Sequence, residues 1–401
     1  MNTVFNSLGM LARYLCNFLL LIIIARLHSQ ELLGQFTLGL AWGMVLLLLC
    51  EFGFHLKLPK ELIESKNEKE KSIVFLKAFN LKNFLLLINS AIFFAVYCLG
   101  LYPGDETLLL CIFLYVLSNS YINFFLLKVR SDGQFLRESI YIASNNILSL
   151  ILFLLLTILS FELSTILLWL FFFKFVFLCV LVKYENIPFR LYFNLKEHGF
   201  ELSKGLKYVL LMVVGTLYVN VDTIVLGYYL SIFEIGLYQT ILQMVMAACI
   251  LSLSISQVYL QKFTSAKINV LILKREFYKI QVISIAIGLI AAVTFYFLCA
   301  PFLGVFFEYD LKEYGIEVVL YGAILLFLRY SISPLGSFLT AVDKTNLRVV
   351  FSVLSIFVSV ILTVILVGSY GIKTGFIAGI FAHIVMFLSQ FLVVVKYFDK
   401  A

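Results

Sequence analysis

"VVFSVLSIFVSVILTVILVGSYGIKTGFIAGIFAHIVMFLSQF" occupies residues 349–391. Two apolar runs flank the tight connection "GSYG", and each is about the 20 residues that an α-helix needs to cross the hydrocarbon core of a bilayer. Runs of this length recur along the whole chain. Of its 401 residues, 62% are hydrophobic and 13% charged, with a mean hydropathy of +1.04. Soluble domains carry about 25% charged residues, so the sequence is that of a polytopic, all-α membrane protein. The strands of a membrane β-barrel would instead alternate in polarity over about 10 residues.

Working outward from residues 349–391, hydropathy predicts twelve spans: 5–26, 33–56, 79–101, 107–127, 138–160, 163–182, 206–229, 236–260, 280–302, 316–341, 348–367 and 373–395. The first is expected to be a retained span, because no small-residue cleavage site follows it. The intervening loops alternate in charge. One set holds 24 Lys and Arg, the other only Arg26, Lys312 and Lys373. A bias of that size orients the chain with both termini in the cytoplasm, and it explains the net charge of +7 without invoking nucleic acid. The longer inner loops, 57–78 and 183–205, are expected to hold short amphipathic helices at the membrane surface.

The two halves echo each other. "SQELLGQF" from Ser29 matches "SIFEIGLY" from Ser231, an offset of 202. "SDGQFLR" ending at Arg137 matches "VDKTNLR" ending at Arg348, an offset of 211, and both read D-x-x-x-L-R. Six spans per half is an even number, so the halves insert with the same orientation. The expected architecture is two six-helix lobes, 1–200 and 201–401, in a parallel repeat with a pathway between them.

Motifs of soluble chemistry are missing. There is no G-x-x-x-x-G-K-[ST], no G-x-S-x-G and no H-E-x-x-H. The four histidines are scattered, and the seven cysteines all lie in apolar segments. Neither a metal, a cofactor nor a disulfide framework is expected. No large outer loop is present to hold a glycan polymerase or ligase, so an enzyme of that kind is disfavoured.

What remains is polarity inside the spans. Charged side chains at the centre of a bilayer helix cost about 2.5–3.5 kcal/mol. Arg13, Lys174, Asp222 and Arg329 are such residues. Arg13 shares a face with Asn6 and Asn17; it either lines a cavity or snorkels to the inner headgroups. Lys174 and Arg329 either line a cavity or pair with buried carboxylates. Asp222 lies on a stripe with Gly215, Tyr218 and Tyr229, beside a second stripe of Thr216, Asn220, Thr223 and Gly227. It either locks helices together at the lobe interface or takes up a proton or sodium ion that couples transport to a gradient. Asn17, Asn119, Asn145, Gln239 and Gln243 are candidate sugar contacts or interhelical glue. Glu51, near the inner end of its span, reads as an interfacial cap.

"YVNVDTIVLGYYLSIFEIGLYQT" (218–240), with Asp222, Gly227, Gly236 and Tyr238, resembles the span-7/8 signature of bacterial polysaccharide flippases. "LARYLCNFLLLIIIARLHSQELLGQFTLGLAWG", followed by "EFGF", is similar to the opening of the same family, and the stretch from Pro334 to Val385 resembles its spans 10 to 12. The family is that of Wzx-like O-antigen and polysaccharide flippases, in the multidrug/oligosaccharidyl-lipid/polysaccharide exporter superfamily. Glu51 and His28 depart from its pattern. The resemblance implies a MATE-like fold in the bacterial cytoplasmic (inner) membrane. It also implies transport, by alternating access, of undecaprenyl-pyrophosphate-linked O-antigen or other polysaccharide repeat units for lipopolysaccharide or related biosynthesis. The implied partners are that lipid-linked oligosaccharide, membrane lipid, H+ or Na+, and polysaccharide polymerase and chain-length proteins. In this reading Arg13, Lys174 and Arg329 line one cavity and engage the diphosphate. A drug/cation antiporter of the same fold is the alternative; it would need an anionic cavity, whereas this one leans cationic.

The loop charges give a direct test of topology. Reporter fusions at Lys69 and Lys196 should read as cytoplasmic, and fusions at Asp105 or Tyr309 as external. A cytoplasmic signal at Asp105 would overturn the twelve-span arrangement.

Overall fold

The computed structural model describes residues 2–187, 195–249, 269–309 and 314–399, with 252, 256, 259–260 and 262–264 between them. Within a bilayer core every backbone polar group needs an internal partner, and the described residues meet that demand with helices. The first half holds α1 (Asn2–Ile23), α2 (Gln30–Leu46), α3 (Leu48–Glu51), α4 (Phe54–Glu64), α5 (Glu68–Cys98), α6 (Glu106–Ser131), α7 (Phe135–Ile158) and α8 (Leu163–Tyr184). α9 (Leu195–Leu226) leads to the second half. There follow α10 (Ile232–Ala248), α11 (Val270–Phe307), α12 (Glu317–Ala341), α13 (Thr345–Tyr370) and α14 (Lys373–Asp399). Nine described helices are long and apolar enough to cross a membrane; Met212–Leu226 and α10 are shorter apolar helices. Where described, each of the twelve expected spans is largely helical, and that of 33–56 is broken at Leu47 and at Phe52–Gly53.

The chain parts into two compact units, Met1–Thr216 and Leu217–Ala401, whereas the sequence suggested a boundary at residue 200. The N-terminal part of α9 packs with unit 1. A Cβ on Gly205 would lie 2.2 Å from the Phe52 ring, and the Gly53 N–H points at the Met212 sulfur at 3.2 Å.

Part of the helix pairing is common to both units. In unit 1, α2 and α8 pack on α6, and α7 packs on α8 and α6; in unit 2, α10 and α14 pack on α12, and α13 packs on α14 and α12. The matched turns share a cap. Ser29 accepts the Leu32 N–H at the start of α2. Ser231 forms a capping box with Glu234 at the start of α10. Such caps satisfy otherwise orphaned N–H groups. The two D-x-x-x-L-R turns each contain a left-handed residue, Gly133 (φ 75°) and Asp343 (φ 60°).

Element lengths differ from expectation at the inner loops. α5 begins at Glu68, so residues 68–78 extend a spanning helix; only α4 is a short helix of the kind anticipated there. Residues 188–194 of the other inner loop, and much of 250–268, lie outside the described residues.

Lys82, counted above with the inner loops, is fully buried. Its neighbours explain why. Helix α3 ends at two consecutive left-handed residues, Phe52 (φ 44°) and Gly53 (φ 65°). The non-glycine one costs about 1–2 kcal/mol, and the break frees backbone groups of the last turn of α3. The Lys82 ammonium approaches the Cys50 carbonyl at 3.4 Å, donates to Ser120 at 2.7 Å and pairs with Glu51 at 3.6 Å. The rings of Tyr121, Phe124 and Phe54 surround it at 5.2–5.9 Å. Glu51 is thus an ion-pair partner and not a free cap. Lys82→Met should lower stability by about 2–3 kcal/mol, below the range for a fully buried pair because Glu51 is partly exposed. Thermal unfolding in detergent would show this, with Glu51→Gln losing less.

Candidate functional site

Unit 1 gathers two of the expected cations. Arg13 on α1 donates to the side-chain oxygen of Asn123 on α6 at 2.7 Å. Lys174 on α8 is 1% exposed, and its ammonium has no hydrogen-bond partner among the described residues; it sits 5.1 Å from the centre of the Tyr115 ring. Arg13 is close enough to act on Lys174 electrostatically. The carboxylate that also acts on Arg13 is Glu138, but Arg130 already holds both of its oxygens at 2.5–3.1 Å. A cation–π contact contributes about 2 kcal/mol when desolvated, less than the several kcal/mol that burying an ammonium costs. The pair therefore lacks negative charge, and an anion of two or more charges would supply it.

Of the polar residues expected nearby, Asn145 is buried with its side-chain oxygen unpartnered, as is the Ser149 hydroxyl one turn on. Asn119 bonds back to the Tyr115 carbonyl of its own helix at 3.2 Å. Asn17 is exposed, and the side chain of Asn6 lies outside the described residues.

Arg329 belongs to unit 2, with Asp222. These two line a cavity of about 20 Å³ together with Tyr218, Tyr238, Ser359 and His383. Ser359 on α13 donates to Asp222 Oδ1 at 2.6 Å. His383 on α14 lies with Nδ1 2.7 Å from the Gly379 carbonyl and Nε2 2.8 Å from the Tyr218 hydroxyl. A carbonyl only accepts, so the neutral ring carries its proton on Nδ1, and Nε2 accepts from Tyr218. Arg329 reaches the Met246 sulfur, while its Nε is buried and unpartnered. Asp222 and Arg329 thus share a cavity without an ion pair between them among the described residues.

The stripes read from the sequence divide as their chemistry suggests. Tyr218 and Asp222 face the cavity; Thr223 is buried and bonded by Gln239 of α10. Tyr229 does not join the Asp222 stripe, because α9 ends at Leu226 and Tyr229 lies exposed in the turn. Gln243, one turn beyond Gln239, is exposed. Two residues escaped the sequence reading. His383 was dismissed for lacking a metal-spaced partner, although any ionisable group inside a span is a signal. Lys82 was hidden by its place at the predicted edge of a span.

Comparison with known proteins places this geometry. A family model described as "Polysaccharide biosynthesis protein" matches residues 1–260. The chain is 27% identical over 396 residues to the capsular polysaccharide biosynthesis protein CapF of Staphylococcus aureus, covering 96% of this chain and 94% of that one. Among solved structures, it is similar to the lipid II flippase MurJ in an inward closed conformation, with a TM-score of 0.75 and 18% identity over 99% of this chain and 89% of that one. It is also similar to an inward-facing multidrug resistance MATE family transporter of the MOP superfamily, with a TM-score of 0.78 and 14% identity over 100% and 99% of the two chains. At these identities the two structures establish the fold.

Removing the Ser359 hydroxyl leaves a half-buried carboxylate oxygen short of its donor. Ser359→Ala should cost about 1–3 kcal/mol, read as a lower unfolding temperature in detergent. Asp222→Asn should cost less, since the amide oxygen still accepts from Ser359.

Proposed function

The chain belongs to the polysaccharide biosynthesis protein family, and on that footing we propose that it moves lipid-linked polysaccharide repeat units across a bacterial cytoplasmic membrane. It is a multi-pass membrane protein with the fold of transporters. The substrate in this reading is an undecaprenyl-diphosphate carrying an oligosaccharide, passed from the inner to the outer leaflet by alternating access, for use by a polymerase and chain-length proteins. O-antigen and capsular units are both compatible with the site; the relation to CapF supports the capsular one.

The observation that carries the reading is the buried ammonium of Lys174, which has no counter-ion and stands near Arg13. In low dielectric two cations bind a diphosphate strongly. The sugars need hydrogen-bond partners, and Asn145 and Ser149 have unused capacity. The lipid tail can remain in the bilayer throughout. Asp222 is assigned to coupling with an ion gradient. A drug/cation antiporter would place a positive substrate against a site already rich in positive charge.

The test is complementation of a flippase-null strain supplied with a known repeat unit. Lys174→Ala and Arg13→Ala, at normal protein level, should each cut surface polysaccharide at least about tenfold, the loss expected for one charge-assisted contact. Lys174→Arg should retain part of the activity, since charge is kept while geometry changes. Full activity in both alanine variants, or export of a cationic dye in place of glycan, would overturn the proposal.

A further inference from the structure

Unit 2 buries more polar atoms than its packing uses. The buried residues of α13 are Ser355, Ser359, Thr363 and Val367, spaced by four on one face. Hydroxyls on such a face have an ordinary use: they allow close helix approach and bond to backbone. Ser355 does so, donating to the Phe351 carbonyl at 2.9 Å, and Ser359 serves Asp222. Thr363 does neither. It is 0% exposed and its hydroxyl has no partner. On α14, Thr374 is in the same condition, and Gln390, also 0% exposed, leaves both its amide nitrogen and its oxygen unpartnered. Each orphan costs about 1–3 kcal/mol, and ordered water is the usual occupant that removes this cost.

The positions line up. Thr363 and Ser355 lie about 6 Å to either side of Ser359 along α13, and Gln390 lies about 10 Å from His383 on the same face of α14. Ser359 and His383 both line the cavity at Asp222, whose volume of about 20 Å³ suffices for one water. We propose that an ordered file of water runs along these faces of α13 and α14, held by Gln390, Ser355, Thr363 and Thr374, and carries protons to and from the Asp222 carboxylate.

This rests on the reading of Asp222 as the coupling group. In each step a water takes up one proton and releases another; at the end the carboxylate becomes a carboxylic acid, and reversal restores it. The groups facing Asp222 are Tyr218 on its own helix, Tyr238 of α10, Arg329 of α12, Ser359 of α13 and His383 of α14. The Ser359 hydroxyl, donor to the carboxylate, can accept from the acid. His383 has both ring nitrogens engaged and cannot take the proton without releasing Tyr218. A sodium ion would need several oxygen ligands. Here it would find one carboxylate, already bonded by Ser359, and a guanidinium lining the same small cavity.

The purified protein in lipid nanodiscs, with no glycan present, provides the test. Infrared difference spectroscopy should show a protonated carboxyl band that vanishes in Asp222→Asn, and its shift in D2O gives the exchange rate. The double variant Thr363→Val/Gln390→Leu removes the polar atoms and keeps the bulk, and it should slow that exchange about tenfold or more. An unchanged rate overturns the path, and so does a band that sodium chloride abolishes at constant pH. A second measurement needs only the wild-type protein. Brief X-ray radiolysis in 18O-water should label Met386, 8% exposed and between His383 and Gln390 on α14; an unlabelled Met386 means a dry seam and overturns the proposal even where the double variant fails to fold. The flippase reading fails on a separate result, the absence of glycan transport by the wild-type protein.

Discussion

A hydrocarbon core offers no water to a broken helix, so every departure from regular backbone must be repaired from within. Two departures show how strictly this holds here. At Phe52–Gly53 the repair is a lysine ammonium, brought from α5 to the last turn of α3. At Pro334 it is a pair of small polar side chains. Proline has no N–H for the Tyr330 carbonyl one turn back; Ser284 of α11 donates to that carbonyl at 3.0 Å, and Gln281 donates to the next one, Ser331, at 2.9 Å.

Against that background, unrepaired polarity stands out. The protein pairs its charges readily where they serve structure, as Arg130 with Glu138 and Lys71 with Asp132 show. Among the described residues it leaves Lys174 without a hydrogen-bond partner in unit 1, and Thr363, Thr374 and Gln390 without partners in unit 2. The two kinds of vacancy differ in chemistry. A bare cation calls for an anion, and neutral hydroxyl and amide groups call for water.

The fold was legible because its cause is written in long stretches. An apolar run of about 20 residues admits one structure in a bilayer, and the serine caps at Ser29 and Ser231 mark the same turn in each half. The site was legible only in part. Intramembrane charge singled out Arg13, Lys174, Asp222 and Arg329, since cost alone flags them. Which of them share a unit depends on tertiary packing that no local pattern encodes. Lys82 was missed because the lysine lies at the edge of an apolar run and reads as loop, although α5 continues past it on both sides. His383 was missed because a lone histidine has no spacing to read; its role comes from Tyr218, 165 residues away.

The bonds from Ser284 and Gln281 to the carbonyls before Pro334 have a mechanical result. A kinked helix is ordinarily a flexible joint, free to open and close about its missing bond. Here the neighbouring helix bridges the joint with donors to two successive carbonyls, so bending α12 would have to stretch both contacts with α11 at once. Each bond contributes about 1 kcal/mol, so together they stiffen the proline joint, and a rearrangement of unit 2 meets less resistance at a joint without such a splint.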